Sequence, residues 1–113
     1  MNNNDHVSQN IENEINSNDV MLFMKGTPVF PMCGFSARVV EILNKVGVKF
    51  WSVNVLESDE MREGIKTYSN WPTIPQLYVK KEFIGGCDII TEMFESGKLL
   101  ELFNTNGIDV NPS

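Results

Sequence analysis

Five consecutive apolar residues, Val20-Met21-Leu22-Phe23-Met24, constrain the fold of this chain more than any other feature. A strand with one wet face alternates apolar and polar residues. This run is apolar on both alternating faces, so it demands cover on each and reads as the central strand of a sheet with helices on either side. Gly26 and Pro28 break the run, and a helical pattern begins at Cys33. Phe35, Val39, Val40, Ile42, Leu43 and Val46 form its apolar side, Arg38, Glu41 and Lys45 its polar side, and Gly47 is the natural C-terminal stop. The next segment, Lys49-Phe50-Trp51-Ser52-Val53-Asn54-Val55, alternates as a strand. Strand, helix and strand in that order imply a parallel pair joined by a right-handed crossover.

The flanking segments complete an α/β pattern. Val7, Ile11 and Ile15 form the narrow stripe of a helix packing on a sheet, preceded by residues 1–6, which are polar and expected to be disordered with His6 in solvent. Ser58 is a candidate cap for a helix with acids in its first turn and a buried stripe of Met61, Ile65 and Tyr68. Gln76–Val79 and Glu82–Ile84, separated by Lys80-Lys81, have the spacing of a tight antiparallel hairpin. Helices are expected from Asp88 through Phe94 and from Lys98 to Phe103, with residues 105–113 as a frayed tail. Tyr68 and Trp71 read as core residues. The fold class is therefore α/β, a mixed four-stranded sheet flanked by helices on both faces, with the folded domain over residues 7–104.

Composition narrows the partners. A chain of 113 residues fits one domain that buries about two-thirds of its unfolded surface. Its net charge of −6 disfavours binding to a nucleic-acid backbone, which needs clustered Lys and Arg. No apolar run approaches the ~20 residues of a membrane span. The start, Met1-Asn2-Asn3-Asn4-Asp5, has neither the Arg-rich character of a transit peptide nor the apolar core of a secretion signal, so a reducing cytoplasm is expected. There, Cys33 and Cys87 are expected to be reactive or ligating rather than paired in a structural disulfide.

Cys33 carries the chemistry. Unpaired N–H groups and the positive end of the helix dipole favour its thiolate, and Lys25 and Arg38 add positive charge nearby in sequence. Such a thiol can act as a nucleophile or a metal ligand. Ser36 stands where a Cys-x-x-Cys redox helix would carry its second sulfur, and a hydroxyl cannot close a disulfide. The missing partner is Cys87, a small-molecule thiol or a second chain. In α/β sheets ligands gather beyond the C-terminal ends of parallel strands, where the loop before Cys33 lies.

Four motifs, Lys25-Gly26-Thr27-Pro28, Cys33-Gly34-Phe35-Ser36, Trp71-Pro72-Thr73-Ile74-Pro75-Gln76 and Gly85-Gly86-Cys87-Asp88, stand in an order and spacing that resembles the monothiol glutaredoxins of the thioredoxin-like superfamily. The likeness covers roughly residues 7–103. It implies a thioredoxin-like (glutaredoxin) fold in which Cys33 ligates a [2Fe–2S] cluster or attacks a glutathione mixed disulfide. It also implies glutathione held by Lys25, Arg62, the Ile74 backbone before a cis proline at Pro75, and Cys87 with Asp88. Four cluster ligands then come from two chains and two glutathiones, which implies a cluster-bridged homodimer serving apo iron–sulfur proteins, with a BolA-like protein as a further partner. The alternative role is glutathione-dependent thiol–disulfide exchange. Taken singly, Lys25 and Arg62 read as solvated charges, Gly85-Gly86 as a turn, Asp88 as a helix cap, and Cys87 as a packing residue or distant resolving thiol. One departure is Lys81, where the family often has glycine; a side chain at a positive-φ turn position costs roughly 1 kcal/mol.

Overall fold

The computed structural model describes residues 3–112, in the order α1 (Asn3–Ser17), β1 (Val20–Met24), α2 (Gly34–Val46), β2 (Trp51–Asn54), a 3-10 turn (Val55–Glu57), α3 (Asp59–Ser69), β3 (Gln76–Val79), β4 (Glu82–Gly85), α4 (Cys87–Ser96) and α5 (Lys98–Thr105). The four strands lie in the order β2-β1-β3-β4, with β1 parallel to β2 and the other pairs antiparallel. Every residue of β1 is buried, as an apolar run covered on both faces must be. Val20, Leu22 and Met24 point into a core shared with α2, α4 and α5. Met21 and Phe23 point into a second core shared with α1 and α3. Parallel β1 and β2 end side by side, Met24 opposite Asn54, and the loop leading to α2 leaves from that edge.

Local signals account for most boundaries. Ser58 caps α3, its Oγ accepting the Met61 N–H at 3.1 Å. Gly47, at φ 75°, ends α2, and its N–H reaches the carbonyls of Leu43 and Asn44. The hairpin turn places both Lys80 and Lys81 at positive φ, 49° and 74°. These are the dihedral signs of a type I′ turn, normally built from Asn and Gly.

Three segments depart from the sequence expectation. Helix α1 begins at Asn3, so residues 3–6, expected to be disordered, continue the helix that Val7, Ile11 and Ile15 anchor; Met1 and Asn2 lie outside the described residues. The expected frayed tail is instead pinned. Ile108 and Val110 pack against the core, and the Asn111 N–H donates to the Gly47 carbonyl at 3.0 Å. A Cβ at Gly47 would overlap the Asn111 backbone, so the tail lies in a groove that only glycine leaves open. Finally, Phe35 falls on the apolar stripe by periodicity yet is 62% exposed, because its ring lies on the surface beside Cys33 while its neighbour Ser36 takes the buried place.

Candidate functional site

The loop between β1 and α2 is folded back on itself before it delivers Cys33. Gly26 and Pro31 form an isolated bridge, the Met32 N–H donates to the Lys25 carbonyl at 2.9 Å, and the main chains of Thr27 and Phe30 bond each other at 3.0 and 3.2 Å. Gly26 makes this possible. It sits at φ 89°, and a Cβ there would stand 2.5 Å from the Met32 nitrogen and the Phe30 oxygen. Two polar side chains fasten the loop to the sheet edge. Asn54 Oδ1 accepts from the Gly26 N–H at 2.9 Å and the Leu56 N–H at 3.0 Å. Ser36 Oγ, fully buried, accepts from the Lys25 N–H at 3.1 Å.

Cys33 is the N-cap residue of α2, with extended backbone, and is half-buried. Its partial burial pulls the thiol pKa up. The main-chain N–H groups of Ser36 and Phe35, the charge of Lys25 and the Ser36 hydroxyl together outweigh that effect and leave the thiol more acidic than usual. The Ser36 side chain thus anchors the loop through Lys25 and also favours the thiolate of Cys33. Both cysteines are free.

Cys33 opens on a cleft of about 440 Å³, within the range of small-molecule sites. Lys25, Phe35, Lys66, the loop Trp71–Pro75, Cys87 and Asp88 line it. The Ile74–Pro75 peptide bond is cis, as expected. Helix α4 starts at the cleft with Gly86 as its N-cap and no side-chain cap, so its first-turn N–H groups are not claimed by a capping side chain. Among the expected residues, Lys25, Cys33, Ile74, Cys87 and Asp88 thus come together. Arg62 does not line the cleft. Its Nη2 bonds Asp59 at 3.2 Å, and its Nε lies 3.8 Å from Glu63 and is buried without a hydrogen bond.

Sequence reasoning missed Lys66, which lines the cleft one helical turn beyond Arg62 and pairs with Glu63 at 3.3 Å. The i, i+4 spacing carried that signal. Trp71 and Tyr68, expected in the core, are 36% and 40% exposed, and Trp71 forms part of the cleft wall. The Trp71 ring packs on Phe83 at 5.7 Å, which fixes its position without enclosing it.

The family model described as Glutaredoxin matches residues 20–84. A probable monothiol glutaredoxin 2 of Rickettsia felis is 60% identical over 89 residues, 79% of this chain and 86% of that protein. The monothiol glutaredoxin-S11 of rice is 49% identical over 108 residues, and there this chain spans 96% of itself but only 22% of the relative. Among solved structures, a monomeric truncated mutant of Trypanosoma brucei 1-C-Grx1 superposes with a TM-score of 0.85 at 42% identity, covering 94% of this chain and 96% of that one. A buckwheat glutaredoxin–glutathione complex shares the fold, with a TM-score of 0.81 at 22% identity over 92% of this chain and 93% of its own.

Proposed function

We propose, from the premise that this chain belongs to the glutaredoxin family, that its cleft binds glutathione and that two copies share a [2Fe–2S] cluster for delivery to apo iron–sulfur proteins. The observation that carries this reading is one activated thiol, Cys33, opening on a cleft lined by lysines, a loop and a helix start. Lys25 and Lys66 suit the glycyl carboxylate of the tripeptide, and Arg62 joins them by leaving Asp59. The Ile74 main chain pairs with the middle of the peptide as a short strand does. The uncapped start of α4 at Cys87 and Asp88 takes the γ-glutamyl carboxylate on its N–H groups, and the Asp88 carboxylate takes the ammonium.

The cluster is cargo, and its ligand count sets the assembly. A [2Fe–2S] unit takes four ligands. With Cys33 and one bound glutathione from each chain, two copies make up the four ligands. Val29, Phe30, Met32 and Phe35, exposed at 94, 71, 60 and 62%, give the surroundings of Cys33 the apolar surface that such a partner covers. A BolA-like protein is a further partner on this reading. The two free thiols suit a reducing compartment.

A second reading rests on the same acidic thiol. The Cys33 thiolate attacks the glutathione sulfur of a mixed disulfide, the target thiolate leaves, and a second glutathione thiolate then displaces Cys33 as glutathione disulfide forms. Ser36 cannot intercept the intermediate, so glutathione must. Anaerobic reconstitution with iron, sulfide and glutathione separates the readings. Cluster absorption with a doubled mass, lost in Cys33→Ser and without glutathione, supports the carrier. A colourless monomer that turns over a glutathionylated peptide leaves the exchange reaction alone.

A further inference from the structure

Gln76 is, with Ser36, one of two polar side chains buried among the described residues, and it has no part in lining the cleft. Its Nε2 donates to the carbonyls of Trp71 at 3.3 Å and Thr73 at 3.2 Å. The Tyr78 hydroxyl donates to its Oε1 at 3.3 Å. This arrangement fixes the amide's orientation, since two carbonyls can face only the NH2 end and the hydroxyl then serves the oxygen. From the other side, the Trp71 N–H donates to Ser69 Oγ at 3.1 Å, and that hydroxyl donates to the Ile65 carbonyl at 2.8 Å. The wall of the cleft, residues 71–75, contains no helix or strand. It is held by its main chain from beneath, while the side chains of Trp71, Pro72 and Thr73 face outward.

The loop has little room to drift without altering the cleft. A Cβ on Gly86 would lie 3.2 Å from the Pro75 oxygen and 3.6 Å from Trp71 Nε1, so the loop and the start of α4 touch across the site. We propose that Gln76 is a positioning residue: its amide sets the height of the Trp71–Pro75 wall, and through the wall the affinity of the cleft for glutathione. The proposal rests on the reading of the cleft as a glutathione site. Gln76 does not line the cleft, and its influence passes through the carbonyls of Trp71 and Thr73. Gln76→Leu has no donor to offer those carbonyls. Tyr78→Phe keeps the donor but leaves the amide free to turn over.

The test uses the whole chain with two readouts. Calorimetric titration with glutathione should show Gln76→Leu weakened about tenfold or more and Tyr78→Phe by a smaller factor, as expected for one to two lost hydrogen bonds. Ile42→Val, a core truncation away from the cleft, should bind as wild type at comparable loss of stability. Amide hydrogen exchange on the ligand-free protein should speed up at Trp71, Thr73 and Ile74 relative to the β1 amides in both cleft-loop variants. Exchange confined to the global rate, or wild-type affinity in folded Gln76→Leu, overturns the proposal. If Gln76→Leu does not fold, Tyr78→Phe decides by the same criteria. Should wild type bind no glutathione, the functional reading fails, and the exchange data still decide whether Gln76 positions the wall.

Discussion

Two substitutions on either side of one hydrogen bond should separate what holds the loop from what activates the thiol. Ser36→Ala removes the buried acceptor of the Lys25 N–H, 3.1 Å away, and the hydroxyl that serves Cys33. Lys25→Gln keeps that N–H and its bond but removes the cation. A main-chain donor left without a partner costs about 1–3 kcal/mol. Taking about 1–2 kcal/mol, because the Lys25 N–H is only partly buried, the melting temperature of a domain this size should fall by about 4–8 °C in Ser36→Ala. Lys25→Gln, a half-buried side chain at a loop, should change stability by less than about 0.5 kcal/mol. The order reverses for the thiol. The charge of Lys25 lowers its pKa more than the Ser36 hydroxyl does, and the N–H groups of Ser36 and Phe35 more than either. Both variants should therefore raise the Cys33 pKa, Lys25→Gln the more, and neither should restore an ordinary thiol. Alkylation rate against pH and thermal denaturation by circular dichroism read the two effects. A fully normal thiol in Ser36→Ala would refute the role given to the helix N–H groups, and an unchanged melting point would refute the loop anchor. The sign of the linkage adds a check. The folded thiol ionises more readily than the unfolded one, so its thiolate adds stability that is fully present above the ordinary thiol pKa and is lost as pH falls through the folded value. Cys33→Ala should remove that part of the stability–pH profile.

Gly26→Ala places a Cβ 2.5 Å from two main-chain atoms at φ 89° and should cost more than about 2 kcal/mol in urea denaturation; wild-type stability would mean the loop yields freely. Deleting residues 107–113 removes the Ile108 and Val110 contacts and the Asn111–Gly47 bond, and should destabilise by about 2–4 kcal/mol, against no change if the tail frays in solution. Lys81→Gly relieves a side chain held at φ 74° and should stabilise by up to about 1 kcal/mol, read as an increased urea midpoint; a lower midpoint would show the lysine makes compensating contacts.

Most of the fold, and the thiol itself, could be read from residues in order. An apolar run that demands cover on two faces, helical stripes, a capping serine and a two-residue hairpin turn are local patterns, each legible from adjacent residues even where the groups that bury it are distant. The position of Cys33 at a helix start is of the same kind, because the N–H groups of Phe35 and Ser36, two and three residues on, lower its pKa. The family motifs likewise placed Lys25, Ile74, Cys87 and Asp88 at one cleft.

What tertiary structure alone decided concerns which side of an element meets which neighbour. Arg62 and Lys66 lie one turn apart on α3, and periodicity cannot choose between them. Position along the axis of α3 decides it: Lys66, one turn nearer the cleft loop, lines the cleft, while Arg62 is held off it by Asp59. Trp71 carries an apolar side chain that the sequence assigns to the core, yet it stands at the wall because Gln76, five residues on, ties its carbonyl from below. The tail looks frayed by composition, and it is fixed only because Gly47, far back in the chain, leaves a groove for it. Local pattern sets what each segment is, since its energy comes from adjacent residues; long-range hydrogen bonds and packing set where each segment points, because their partners are distant in sequence and meet only after the chain has folded.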